Sequence, residues 1–313
     1  MKKNTNMRKN RLLIVLFACI ATFSAIVSCT YDYFEDETNY IVVVPGILDN
    51  SIEDCRVMVY DASGTLIKER YAASPWNTDQ RIMRGEMTFR LPAGDYKVFC
   101  YTNTGGVAFV DNDNLETSAF TLNAHEDSTD EYKEPSEMLF QVLNRNVAHP
   151  GILHVDTVKS ERYVGRIVVR FKNPPMTATE ISNVANVHLK AEGAAVVQYL
   201  KKETLTDHKS DHDIMSCLGA FTAPAQTNVL EIDHLFFPTV DDGGIMQLTY
   251  TFLDSASGEI IKIPVRLADE ATDTPIQLSH GQKLIVEIDK YLVTSFNLVG
   301  WNEDINTGET DLE

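Results

Sequence analysis

From Tyr40 onward the chain is written in short apolar–polar alternations closed by turn residues, a rhythm that leaves little room for anything but β-sheet. Ile41-Val42-Val43-Val44 stops at Pro45-Gly46. Cys55, Val57 and Val59 alternate with Arg56, Met58 and Tyr60, which predicts one buried and one more exposed face. Asp61-Ala62-Ser63-Gly64 turns the chain into Thr65-Leu66-Ile67-Lys68. Thr88-Phe89-Arg90-Leu91 runs through Pro92-Ala93-Gly94-Asp95 into a further strand, Tyr96 to Tyr101. Gly, Asn and Asp supply the backbone conformations that such corners require.

The second half has the same character. Ile167, Val169 and Phe171 alternate with Arg166, Val168 and Arg170 before Asn173-Pro174-Pro175 ends the run. Leu248, Tyr250 and Phe252, then Ile261 and Ile263, then Leu284, Val286 and Ile288, repeat the pattern, and Leu292 to Trp301 is the last run. Helical periodicity is weak, with room for one short helix between Ala178 and Val187. His125 to Glu137, rich in Asp and Glu, reads as a solvated loop. Asp61 to Lys68 also echoes Ser255 to Lys262, each a strand, a Ser-Gly hairpin and a strand. The expected fold is therefore all-β, two tandem Greek-key β-sandwiches over 41–157 and 158–313, the second ending in a polar tail.

The first 40 residues are of a different kind. Lys2, Lys3, Arg8, Lys9 and Arg11 precede an apolar run of 16 residues from Leu12 to Val27. A spanning helix needs about 20 apolar residues, so this run suits the core of a signal peptide. It ends at Ile26-Val27-Ser28-Cys29, aliphatic and small residues leading into a cysteine. That is the bacterial lipobox pattern, resembling sites where a diacylglyceryl group is attached to the cysteine sulfur and the preceding peptide is removed. Residues 1–28 then form a signal peptide and 29–40 a lipidated acidic tether. No cofactor is expected beyond the covalent diacylglyceryl and N-acyl lipid on Cys29.

Charge limits the partners. The chain has 27 Lys plus Arg against 45 Asp plus Glu, and losing residues 1–28 removes five basic groups and no acidic one. A mature chain with 22 basic and 45 acidic groups repels nucleic acid and anionic lipid head groups. Membrane attachment must then come from lipid, and stable anchoring needs more than one acyl chain.

Cys55, Cys100 and Cys217 remain after the leader, which takes Cys19, and after Cys29. Their spacing matches neither a zinc site nor a thioredoxin-type pair. Cys55 and Cys100 lie in neighbouring strand patterns and, in an exported protein, are candidates either for a disulfide or for two small buried hydrophobes. Asp111-Asn112-Asp113-Asn114-Leu115-Glu116 has closely spaced oxygens but lacks the glycine and distal glutamate of an EF-hand loop. His208 and His212 are four residues apart; on a helix they would suit a transition metal, but the interspersed lysine and serine favour a solvated loop. No metal site is assigned. No nucleophile elbow, zincin motif or phosphate loop is present, and no enzyme is expected.

The lipobox with its acidic flank, the Val57-Met58-Val59-Tyr60-Asp61 strand leading into the Gly64 hairpin, Arg90-Leu91-Pro92-Ala93-Gly94-Asp95-Tyr96-Lys97-Val98, and the late Val299-Gly300-Trp301-Asn302 together resemble the fimbrillin superfamily of Bacteroidales, especially its lipoprotein minor subunits. The resemblance covers about residues 29–302. It implies two transthyretin-like sandwiches and a lipid-anchored subunit on the surface of the outer membrane. Such a subunit anchors or terminates a pilus and is joined to pilin subunits by strand exchange. Asp32, Glu35, Asp36 and Glu37 are similar to the signal that carries such lipoproteins to the cell surface, though the lysine often found in that signal is missing. The alternative is a surface glycan-binding lipoprotein that uses exposed aromatics such as Trp76 and Trp301.

Overall fold

The computed structural model describes residues 38–76, 79–126, 128, 131–201, 206–207, 214–222, 229–239, 244–269 and 271–303. The all-β expectation is met: these residues form five sheets, four of them in two facing pairs. In the first pair, β1 (Tyr40–Val43) lies between β4 (Glu86–Phe89), to which it is antiparallel, and β10 (His154–Thr157), to which it is parallel. The facing sheet has the order β11 (Glu161–Arg162), β9 (Leu139–Val147), β5 (Gly94–Thr102), β2 (Asp54–Asp61), β3 (Leu66–Ala73). Tyr40, Val42, Met87 and Phe89 meet Val57, Val59 and Val98 between the two sheets, forming the smaller core.

In the second pair, one sheet runs β17 (Val229–Phe236), β12 (Gly165–Lys172), β20 (Gln282–Asp289), β21 (Leu292–Gly300). Its partner runs β19 (Glu259–Arg266), β18 (Gln247–Leu253), β13 (Asn186–Glu192), β16 (Ile214–Ala220), β8 (Glu131–Tyr132). Phe171 of β12 meets Tyr250 and Phe252 of β18 edge to face, at 5.4 and 5.6 Å between centroids. The helix Ala178–Asn183 appears where the sequence leaves room for it. Thr177 and Glu180 cap it reciprocally, and Ile181 is buried.

The fifth sheet takes strands from both halves of the chain: β6 (Val107–Val110) and β7 (Ala119–Leu122) from one, β14 (Val197–Tyr199) and β15 (Thr206–Asp207) from the other. It corrects the reading of β2. Met58 and Tyr60 are fully buried, like Val57 and Val59, because this sheet and the aromatic rings behind it cover the face expected to be more exposed. Phe120 of β7 stands at the centre, its ring 5.4 Å from Tyr101 on one side and 5.1 and 5.5 Å from Tyr163 and Phe237 on the other. The larger core therefore runs continuously from the first half into the second.

The segment from His125 to Glu137 is not simply a solvated loop. Glu131 and Tyr132 pair in parallel with Ile214 and Met215 as β8, and Glu134 accepts the backbone N–H of Leu235 at 2.6 Å. Glu134 thus serves a backbone donor at the margin of the second pair of sheets, and Glu137 pairs with the Arg162 guanidinium. Near the expected boundary, Val158 donates its N–H to Val43, Glu161–Arg162 pairs with β9, and β12 begins at Gly165.

The two echoing hairpins are the same turn, displaced by one residue from the alignment the sequence suggests. Asp61 Oδ1 accepts the N–H groups of Ser63 and Thr65, and Asp254 Oδ1 accepts those of Ala256 and Gly258. In each hairpin the register shifts through a β-bulge just before the turn, between Val59 and Tyr60 in one and between Phe252 and Leu253 in the other. Asp61 thus corresponds to Asp254, and Gly64 (φ +83°) to Ser257 (φ +62°). A serine in the left-handed region carries a steric cost that glycine does not. Ser257→Gly is therefore expected to raise stability by about 0.5–1 kcal/mol, read as an increase in the urea midpoint at unchanged slope.

Candidate assembly interface

A strand joins a sheet only at an edge whose N–H and C=O groups are unpaired, and most edges here are guarded in familiar ways. β3 carries Lys68, Glu69 and Arg70. β19 carries Lys262 and Arg266 and loses a donor at Pro264. β4 and β10 are only four residues long, and Glu134 caps β17.

β21 differs. It is nine residues long, Leu-Val-Thr-Ser-Phe-Asn-Leu-Val-Gly, with neither a charge nor a proline. Among the described residues it pairs only with β20. The register places Phe296 opposite Val286 and Leu298 opposite Leu284, so both side chains lie on the core-facing side of their sheet. Leu284 and Val286 are buried, yet Leu298 is 49% exposed. The facing sheet ends on that side with β19, leaving the sandwich open along an apolar rim that includes partly buried Val293 and Phe296. A bulge between Glu287 and Ile288 of the partner strand limits the regular stretch to Ser295–Gly300. At its end the Trp301 ring lies under the Arg162 guanidinium, 4.6 Å from it.

The start of the first strand is clamped. Asn39, 3% exposed, donates from Nδ2 to the carbonyl of Leu91 at 2.7 Å and accepts the Leu91 N–H at Oδ1 at 2.8 Å. Tyr40 donates its hydroxyl to Asp156 at 3.0 Å, and Arg145 holds the same carboxylate. Burial first, then the Asp156 charge, pushes the Tyr40 phenol well above its ordinary range. The turn Leu91 to Tyr96 is locked by the Tyr96 hydroxyl, which donates to the carbonyl of Pro92 at 2.9 Å.

Cys29, Asp32, Glu35, Asp36 and Glu37 lie outside the described residues, as do His208 and His212. Cys55 and Cys100 sit side by side in the smaller core as buried free thiols, Sγ to Sγ 3.8 Å. The adjoining thiol and burial raise the Cys55 pKa. Trp76 is buried in that core, so it offers no exposed platform for a sugar. The Asp111–Glu116 loop latches onto the first hairpin: the Asp113 carbonyl accepts the Leu66 N–H, and Asn114 Oδ1 accepts the N–H of Glu116. One cluster, Glu134, Cys217 and His234, has no counterpart among the sequence expectations. Its members come from different strands and a loop, with Glu134 and His234 100 residues apart, so no linear motif could signal it. No described helix is long and apolar enough to cross a membrane.

No protein-family model matches the chain, and no curated protein matches it. Solved structures do. A protein of Bacteroides thetaiotaomicron described as a candidate polysaccharide-binding protein aligns with a TM-score of 0.54 at 12% identity, over 84% of this chain and 96% of its own. A candidate adhesin from Bacteroides ovatus aligns at 0.51 and 14% identity, over 75% and 84%. The chain has their fold. A candidate cell adhesion protein from Bacteroides eggerthii shares it too, at 0.51 and 11% identity, over 84% and 95% of the two chains. The β-sandwich architecture implied by the fimbrillin resemblance is thus the one found.

Proposed function

We propose that this protein is an outer-membrane lipoprotein, anchored through lipid on Cys29, that serves as an anchoring or terminating subunit of a fimbria. Pilin subunits join it by strand addition. The observation that carries this reading is β21, a long uncharged edge with the core-facing side chain of Leu298 half exposed. Strand addition there satisfies a row of backbone groups while alternate side chains of the incoming segment fill the rim between β21 and β19. The descriptions of the neighbours in terms of adhesion agree with such a role.

The clamp suits an anchor. Tension from a lipid on Cys29 enters the fold at Asn39 and Tyr40. It then acts along β1, which is hydrogen-bonded on both sides, so that several bonds share the load in shear. The glycan-binding alternative has less to stand on, because Trp76 is buried and Trp301 is covered by Arg162.

Leu298→Glu tests the joint. The side chain is already half exposed, so the change is expected to lower stability by only about 1 kcal/mol. It places a charge where an incoming strand must bury apolar surface. Pilin recovered with the detergent-extracted variant should fall at least about tenfold, the equivalent of about 1.4 kcal/mol. Undiminished recovery would remove β21 as the joint.

A further inference from the structure

We propose that Glu134, Cys217 and His234 bind one zinc-class transition-metal ion, which fastens the first half of the chain to the closed edge of the second pair of sheets. This goes beyond the assembly role and departs from the sequence expectation of no metal.

The three side chains converge from separate elements. Cys217 on β16 is paired opposite Leu189, and His234 on β17 opposite Ile167. Leu189 and Ile167 are core residues, so the thiol and imidazole face each other across the gap between the sheets. Glu134 enters that gap from the segment after β8. Their ligand atoms all lie within 4.8 Å of one another, and Glu134 Oε2 is 2.9 Å from His234 Nδ1. Tetrahedral zinc holds nitrogen and oxygen at about 2.0–2.1 Å and sulfur at about 2.3 Å, which sets ligand atoms about 3.3–3.7 Å apart. Drawing the most widely spaced ligand atoms together by about 1 Å, and parting Glu134 Oε2 from His234 Nδ1 by about 0.4 Å, closes the cluster on an ion with those bond lengths.

A second observation points the same way. His234 is 8% exposed and Tyr250 is fully buried, yet among the described residues His234 Nε2 and the Tyr250 hydroxyl have no hydrogen-bond partner. The two rings are 6.1 Å apart. Buried polar atoms without partners are rare, and water carried in with the ion is one explanation for them; the ion itself takes His234 through Nδ1, the nitrogen that faces Glu134. One thiolate, one imidazole and one carboxylate suit zinc and its neighbours over calcium or magnesium, which prefer all-oxygen sites. Three protein ligands leave the fourth position for water. Binding displaces the Cys217 proton to solvent, a thiol that burial and then Glu134 push up to about 12 in the metal-free protein.

The test uses the full mature chain, freed of metal by a chelator. Zinc added in competition with a chromogenic chelator should occupy one tight site and raise Tm. Cys217→Ser and His234→Gln should each weaken that site at least about 100-fold. Cobalt added to the unaltered protein provides a readout that does not depend on the variants folding: a thiolate-to-cobalt charge-transfer band in the near ultraviolet is expected. Absence of that band, or tight zinc binding that survives both substitutions, would overturn the proposal. Binding without the band would place the ion elsewhere, on histidines such as His208 and His212.

Discussion

Phe120→Ala is expected to lower the stability of the protein by about 3–5 kcal/mol, the cost of removing a large buried ring that its surroundings cannot refill. The ring touches Tyr101 and Phe109 from the first half, and Tyr163 and Phe237 from beyond it. Neither side can collapse into the cavity without pulling on the other. β7 is also the strand that pairs with β14, so the two halves share both a core and a sheet at this point. Urea unfolding followed separately by aromatic fluorescence and by far-ultraviolet dichroism should give coincident transitions in both proteins, displaced to lower urea in the variant. A loss below about 1 kcal/mol, well under the usual cost of such a truncation, would mean that the shared core does little to hold the halves together.

Asn39→Ala should have nearly as large an effect for a different reason. The Asn39 side chain presents a carbonyl and an amide to Leu91 and so pairs both of its backbone groups. Alanine leaves a buried N–H and a buried C=O unpaired, each costing about 1–3 kcal/mol. The expected loss is about 2–5 kcal/mol on that basis, with the first strand the first to exchange its amide protons. If lipid on Cys29 bears load, this variant should also shed its N-terminal strand under tension more readily than the unaltered protein. Wild-type protection of the β1 amides in Asn39→Ala would show that the clamp is not what holds the strand.

Much of this fold can be read from the residues, because alternation and turn chemistry are local. The strand Tyr96 to Tyr101, the corner before it and the capped helix at Ala178 all follow from short-range rules. What escaped needed knowledge of a third layer. Val57-Met58-Val59-Tyr60 is apolar without a break, the pattern of a strand covered on both faces, but Arg56 beside it suggested a solvent face. The acidic stretch after His125 looked solvated because a carboxylate that accepts backbone N–H groups has the same sequence signature as one that faces water. In the second hairpin the Ser-Gly pair drew the alignment, whereas the residue that builds the turn is Asp254, one position earlier. The proposed joint at β21 is legible only in part. Its lack of charge is visible in the sequence, but its place at an open edge is a property of the topology.

The most direct measurement is electrophoresis of the native protein, extracted from the outer membranes of its own host in mild detergent and run unheated and heated in SDS. Strand-added subunits share a continuous sheet and a buried rim, so an SDS-resistant complex containing a pilin should appear in the unheated sample and collapse on boiling. A lone lipidated monomer in both lanes, with no pilin at any molecular weight, would contradict assembly by strand addition.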